Sequence, residues 1–252
     1  MAVENKARVE FLTPNWPAPQ NIKAISTRRS GGFSHGPYAG LNLAKHVADD
    51  EVVVEQNRRA LSQALRLPSE PVWLKQVHGI DVAEINAESA KSTPQADASI
   101  ARSSALVCAI MTADCLPIFL CNTQGTVVAA VHAGWRGLHA GVIENTVEKM
   151  GESKDLMAWL GPAISPSCFE VGQEVKQAFT HKNTDMQSAF VQKENGQYLA
   201  DLYALARTIL IKSGVEKIYG GEQCTYNNPD KFFSYRRDAV TGRMASLIWM
   251  QS

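Results

Sequence analysis

"ALVCAIMTADCLPIFLCNTQGTVVAAVHAGWRG", residues 105–137, is the stretch that decides the architecture. It contains three apolar runs, ALVCAIMTADC, LPIFLCN and TVVAAVHA, with turn signals between them. Short apolar runs bounded by Asp, Asn and Gly read as buried strands. After Gly134 and Gly137 the periodicity changes. LHAGVIENTVEKM carries a helical pattern that closes at Gly151. Working outward, IKAISTR (22–28) is strand-like, and RRSGGFSHGPYAGLNL (28–43) is a long Gly-rich loop. DDEVVVEQNRRALSQAL (49–65) reads as a helix capped by Asp49 or Asp50. PVWLKQVHG (71–79) and VAEI (82–85) read as a strand pair around Gly79, and AESAKSTPQADAS (87–99) as a surface loop. LMAWLG (156–161), VEKIYGG (215–221) and RMASLIWM (243–250) are further strands. VGQEVKQAF (171–179) and DLYALARTILIKSG (201–214) are helices, the second capped by Asp201 and ended by Gly214. Central strands followed by helices predict an α+β fold: a single layered domain over residues 1–252, with buried mixed β-sheets and flanking helices.

Composition narrows the function. The chain has 252 residues, 45% of them hydrophobic and 20% charged, which suits a globular protein rather than a disordered one. Its 25 basic and 25 acidic residues cancel. A general footprint for nucleic acid or an anionic membrane is therefore missing, although a local basic pocket is compatible. MAVENKARVEFLTPNWPAP has no apolar run suited to a signal peptide, and no stretch approaches the ~18 apolar residues of a membrane span. The five cysteines, Cys108, Cys115, Cys121, Cys168 and Cys224, are odd in number and lack a CxxC spacing. Neither a disulfide framework nor a zinc ribbon is indicated, and a reducing cytoplasm is the expected location. Oligomeric state is not legible.

Three residues with ligating side chains stand where an apolar run meets a turn: His78 in KQVHG, Cys115 in TADCLP and His132 in VHAGW. One thiolate and two imidazoles make a three-ligand zinc set with a fourth position open to water or substrate. Their separations fit no short zinc-finger pattern, so only the fold could bring them together. The competing reading is structural: a histidine hydrogen-bonded beside a strand, and a cysteine acting as a small hydrophobe. Cys108 and Cys121 lie inside such runs and read as core. Asp114 is costly beside an apolar run unless paired. It could orient a histidine or cap its turn. Arg136 and Gly137 stand at the expected start of a helix, where free N–H groups and a guanidinium fork suit phosphate or carboxylate. Gly134 and Gly137 would let a ligand approach the backbone. The alternative is a tight turn whose Arg136 pairs with a surface carboxylate. Arg28 in STRRSGG and Asn42 in GLNLAKH are further candidate anion or substrate contacts. His35, His46, His139 and His181 carry no separate signal.

KQVHG, TADCLPI, VHAGWRG, GPAISPSCFEVG and FFSYRRD…TGR occur in this order, after STRRSGGFS, YAGLNLAKHV and NRRAL. Together they resemble the laccase-domain family, also called multicopper polyphenol oxidase-like, purine nucleoside phosphorylase-like or peptidoglycan editing factor. The resemblance runs from about Ile22 to the C-terminus. It implies a layered α+β fold and a zinc-binding active-site cluster at His78, Cys115 and His132. It implies phosphorolysis of adenosine, inosine, guanosine or methylthioadenosine, with phosphate as co-substrate, and deamination of adenosine. Arg136 would hold the phosphate, and Asp114 or a histidine would move the proton.

Three alternatives stand beside that expectation. Cys115, activated by His78 or His132, could cleave an amide in a peptidoglycan precursor. A polyphenol oxidase would need a trinuclear copper cluster, and six histidines are few for one; copper is the less favoured metal. A non-enzymatic zinc module would need a fourth protein ligand, for which Cys224 is the spare sulfur.

Overall fold

The computed structural model describes residues 9–89 and 92–251. Residues 1–8, part of the stretch read as lacking a signal peptide, lie outside the described residues, as do Ala90 and Lys91 of the 87–99 loop. The first half contains β1 (Phe11–Leu12), β2 (Ile22–Thr27), α1 (Glu51–Leu65), β3 (Val82–Glu84), β4 (Ala98–Ala101), β5 (Val107–Thr112), β6 (Leu116–Asn122) and β7 (Val128–Ala133). The second half adds α2 (Trp135–Ala140), α3 (Val142–Met150), β8 (Leu156–Leu160), β9 (Glu170–Val171), α4 (Gln173–Lys182), β10 (Phe190–Gln192), β11 (Tyr198–Ala200), α5 (Leu202–Lys212), β12 (Lys217–Gly220), α6 (Tyr235–Asp238) and β13 (Met244–Met250).

Two sheets stack. One is antiparallel, in the order β1-β2-β13-β5; the other is mixed, in the order β12-β8-β6-β7-β4-β3, with β8–β12 and β3–β4 parallel. Cys108 and Ile110 of β5 and Ile248 of β13 pack between the sheets against Phe119 and Cys121 of β6 and Val128 and Ala130 of β7. The outer face of the antiparallel sheet, through Val107, Ala109 and Leu247, buries Leu41, Leu43 and Leu61 of α1. The outer face of the mixed sheet, through Ile118, Leu120, Ala129 and Val131, packs under α3 and α5. Both faces of β5, β6 and β7 are thus covered, which is why their sequences are apolar without alternation. This is the α+β layering expected from the sequence, and Cys108 and Cys121 are fully buried within it.

Caps follow the side-chain chemistry. Asp50 accepts the Val52 N–H at the start of α1, and Asp201 accepts the Ala204 N–H at the start of α5. Among the described residues, no helix is long and apolar enough to cross a membrane.

Three expectations need correction. The 87–99 stretch is no surface loop at its end, where Ala96, Asp97, Ala98 and Ser99 are buried and the last two begin β4. Segment 71–79 is no strand. Its backbone pairs only through isolated bridges, Val72 with Cys108 and Lys75 with Gln95, and the N–H groups of Val77, His78 and Gly79 turn inward onto the Asp97 carboxylate. The helix expected after Gly137 starts earlier and breaks, α2 giving way to α3 at Gly141 (φ +117°). A small third sheet, β10-β11-β9, was not foreseen from sequence; its strands are only two or three residues long.

Candidate metal centre and its cavity

His132 follows the parity of Val128 and Ala130, so its side chain leaves β7 on the inter-sheet face, at the strand end where the sheets part. Cys115 ends the turn between β5 and β6, and Pro117 two residues later pairs with His132 across the β6–β7 ladder. His78 arrives on the loop before β3. Their ligating atoms all lie within 4.8 Å of one another. Cys115 Sγ stands 3.8 Å from His78 Nε2, and the two imidazoles meet edge to face at 4.8 Å between centroids.

Asp97 organises this cluster. Its buried carboxylate accepts the N–H of His78 (2.9 Å) on Oδ1, and those of Val77 (3.1 Å) and Gly79 (2.7 Å) on Oδ2. The same Oδ1 accepts His132 Nδ1–H at 2.7 Å. A carboxylate only accepts, so this bond places the proton on Nδ1 and leaves His132 Nε2 facing the cluster. His78 is held at φ +61°, a region most residues avoid, and the three loop bonds to Asp97 hold it there. Gln76 fixes the other side of the loop, pairing both amide atoms with the Met111 backbone.

The electrostatics match a ligand set. Burial pushes the Cys115 thiol up, but the charge of His132 and hydrogen bonds from both histidines outweigh it and bring it down to about 6. Burial pulls the His132 imidazole down, but the Cys115 thiolate and then Asp97 raise it to about 9. Asp97 is disfavoured by burial, yet His132 and the loop N–H groups hold it below the usual carboxylate range. Cys108 and Cys121, with burial and no cation, are pushed up to about 12. Cys115 is therefore ready to ligate, and they are inert.

The donor set fits zinc. Zinc bound at 2.0–2.3 Å to tetrahedral N and S donors sets those donors roughly 3.5 Å apart. The 3.8 Å Cys115–His78 spacing is close to that. Gly134 keeps the space clear: a Cβ there would meet Cys115 Sγ at 2.9 Å and His78 Cδ2 at 3.1 Å. Among the described residues no other group of His, Cys, Asp and Glu side chains gathers in this way, so the geometry offers one mononuclear centre.

The cluster opens into a cavity of about 470 Å3, whose walls include His46, Tyr235, Arg136 and Arg243 besides the three donors. Arg136 stacks over Trp135 at 4.5 Å and makes no ion pair among the described residues, so the surface-carboxylate alternative does not hold. With α2 only six residues long, its guanidinium rather than a helix terminus supplies positive charge. His46 is held below the ordinary imidazole value by burial and then by the charges of Arg243 and Arg58.

The other sequence candidates fall elsewhere. Asp114 is buried at φ +92°, and its oxygens accept from Thr225 Oγ1 (2.6 Å), Ser234 Oγ (3.0 Å) and the Arg236 N–H (2.7 Å). It ties the C-terminal loop to the turn before Cys115, and Asp97 is the carboxylate that orients a histidine. Asn42 does not reach the cavity. It is fully buried and accepts the N–H groups of Ala44 and Arg243, so it positions a cavity arginine instead. Arg28 pairs with Glu10 at 3.5 Å and is absent from the cavity wall. Gly137 makes room for the Gly79 carbonyl, which a Cβ would meet at 3.0 Å, rather than for a ligand. Cys224 is not part of the cluster; its sulfur accepts the Ser165 and Asn227 N–H groups. That removes the fourth ligand the structural zinc module required. Asp97, His46, Tyr235 and Arg243 were missed. Asp97 carried a usable signal, a carboxylate abutting the apolar run ASIA, the same signal that drew attention to Asp114.

Residues 23–251 match the family model described as multi-copper polyphenol oxidoreductase laccase. The chain is 51% identical over 242 residues to a protein named purine nucleoside phosphorylase YfiH from Escherichia coli (strain K12), covering 96% of this chain and 99% of the relative. It is 50% identical over 243 residues to purine nucleoside phosphorylase PA4543 from Pseudomonas aeruginosa, covering 96% and 98%. Among solved structures, Neisseria meningitidis protein NMB0706 superposes with a TM-score of 0.93 at 50% identity, covering 96% of this chain and 100% of that one. YlmD from Geobacillus stearothermophilus does so with a TM-score of 0.88 at 29% identity, covering 100% and 98%.

Proposed function

The chain belongs to the multi-copper polyphenol oxidoreductase laccase family, and we propose that it is a zinc-dependent purine nucleoside phosphorylase that also deaminates adenosine. The observation that carries this reading is one cavity walled by His78, Cys115 and His132 and by the guanidinium groups of Arg136 and Arg243. Relatives at 50% identity or more over nearly their whole length bear the phosphorylase name. At about 470 Å3 the cavity is of small-ligand size.

In phosphorolysis a phosphate oxygen attacks the ribose anomeric carbon, the glycosidic bond breaks, and the purine leaves with a proton. The reacting anion needs a fixed cation, which Arg136 supplies with a planar fork, and Arg243 adds a second guanidinium. Arg243 is held in place: its backbone N–H donates to Asn42 Oδ1, and its guanidinium donates to the carbonyls of Thr241 and Gly242. Tyr235, 59% exposed, offers a ring face to the flat base. His78, Cys115 and His132 would hold zinc, which supplies Lewis-acid polarisation at its open position. Asp97 keeps His132 in the tautomer that ligation needs. Adenosine, inosine, guanosine and methylthioadenosine are the proposed substrates, and a small molecule is the only partner this reading requires.

The test is purine release from adenosine by metal-analysed protein, with and without phosphate, followed by chromatography. Adenine with ribose 1-phosphate, formed only with phosphate, supports phosphorolysis; inosine formed without phosphate supports deamination. A lack of both from zinc-loaded protein overturns the reading.

One observation favours a second reading. Cys115 Sγ lies 3.8 Å from His78 Nε2, a thiol–imidazole arrangement able to attack an amide carbonyl and protonate the leaving amine. A thiolate held by zinc is a poor free nucleophile. Amide cleavage of a cell-wall precursor that is fastest in metal-free protein, and inhibited by zinc, would favour it.

A further inference from the structure

A second group of nucleophilic side chains lies away from the metal centre, between the 161–168 turn and the loop that follows β12. Cys168 and Cys224, both half-buried, meet on Asn227. Cys168 Sγ donates to Asn227 Oδ1 at 3.2 Å, while the Asn227 N–H points at Cys224 Sγ at 3.4 Å. The Ser165 N–H also points at Cys224 Sγ at 3.4 Å. Two backbone N–H groups aimed at one sulfur favour its anion, the thiolate. Burial raises this thiol, but polar groups of Ser165, Asn227 and Tyr226 outweigh it and leave Cys224 below the ordinary thiol value. Cys224 also opens onto a cavity of about 320 Å3, whose wall carries Asp201, Arg207 and Glu222. Arg207 is anchored to the carbonyls of Ile218 and Gly220, so its charge stays at the wall.

We propose that Cys224 is a modification site that captures a low-molecular-weight peptide disulfide, of the glutathione disulfide class, as a mixed disulfide seated in this cavity. The Cys224 thiolate attacks one sulfur of the disulfide, the S–S bond breaks, and its electron pair leaves on the other sulfur as a thiolate. Cys224 and one sulfur are now bonded, and the small disulfide is the oxidant consumed. Charges of both signs on the wall suit a zwitterionic peptide, and Cys224 and Cys168 share Asn227, so the second thiol of the group stands beside the first. Cys108 and Cys121 are fully buried between the sheets and cannot compete. The Thr225 hydroxyl, one residue on, holds Asp114 behind Cys115, so the adduct sits next to a strut of the metal centre without belonging to it.

The experiment exposes zinc-loaded protein to limiting glutathione disulfide, quenches in acid and maps the adduct by peptide mass without reductant. The expected result is an adduct on the Cys224 peptide formed about ten-fold faster than on Cys168, retained in Cys168→Ser and released by dithiothreitol. A Cys168–Cys224 disulfide in the unmodified sequence that becomes a Cys224 mixed disulfide in Cys168→Ser supports the same first step. First labelling at Cys168 or Cys115, or total uptake unchanged in Cys224→Ser, overturns the proposal. The mapping does not depend on which reaction the enzyme catalyses.

Discussion

Replacing Asp97 with asparagine changes one atom and should be among the most damaging substitutions near the metal centre. In the structure the two carboxylate oxygens accept four hydrogens, His78 N–H and His132 Nδ1–H on Oδ1, and Val77 N–H and Gly79 N–H on Oδ2. An asparagine must set its NH2 group against one of those pairs. With nitrogen at the Oδ2 position, the Val77 and Gly79 N–H groups lose their acceptor. With nitrogen at Oδ1, the His78 N–H is orphaned, and His132 must move its proton to Nε2, the atom a metal needs free. A buried unsatisfied donor costs about 1–3 kcal/mol, so two cost ~2–6 kcal/mol, against a total stability of roughly 5–15 kcal/mol. Asp97→Asn should unfold at clearly lower urea concentration than the wild type, and it should bind zinc at least ten-fold more weakly. The deficit should depend on pH. Asp97 lies below the ordinary carboxylate value in the folded protein. Its stabilisation is therefore complete above the unfolded value of about 3.9 and is lost as pH falls through the lower folded value. Metal-free wild type and variant should converge in acid and differ most near neutrality. Urea unfolding of both at several pH values, with zinc titration, measures this. A variant within about 0.5 kcal/mol of wild type, with unchanged zinc affinity, would refute the assignment of Asp97 as organiser of the cluster.

Gly134→Ala places a methyl 2.9 Å from Cys115 Sγ on a backbone (φ −66°) that alanine accepts, so the fold should survive while zinc affinity falls about 10- to 100-fold, read by chelator competition. Cys115→Ser and His132→Ala should each lose most bound zinc and purine turnover, with circular dichroism unchanged. Arg136→Lys exchanges a fork for a point charge and should raise the KM for phosphate several-fold more than that for nucleoside. Asn42→Ala should cost about 2–6 kcal/mol, because the N–H groups of Ala44 and Arg243 both lose their buried acceptor; denaturant titration measures it.

The fold was legible where burial on two faces writes itself into composition. The runs that became β5, β6 and β7 are apolar without alternation because sheet or helix covers each side, and α1 and α5 announce themselves by their Asp caps. Segment 71–79 misled because Val, Trp and Leu there are apolar for packing, while the N–H groups of its last three residues go to the Asp97 side chain, a partner outside the local sequence. The three donors could be picked out one by one where apolar runs meet turns, but their meeting depends on β6–β7 pairing and on the His78 loop reaching Asp97, which lies 35 residues before the histidine of β7. Asp114 and Asp97 look alike in sequence, each a carboxylate beside an apolar run. Only the positions of Thr225 and Ser234 on one side and His132 on the other give them different tasks. Arg28 and Asn42 lie in the same stretch of motifs, yet the chain directs one to Glu10 and the other beneath Arg243.

The central claim is that the three donors and the cavity arginines form one metal-dependent site for nucleoside phosphorolysis. Its most direct test is adenosine turnover by one protein sample in zinc-loaded, zinc-stripped and zinc-restored form, each with and without phosphate. Adenine and ribose 1-phosphate should appear only when zinc and phosphate are both present, and activity should return on restoration. Equal turnover by stripped protein, or zinc-loaded protein that releases no purine, would contradict the claim.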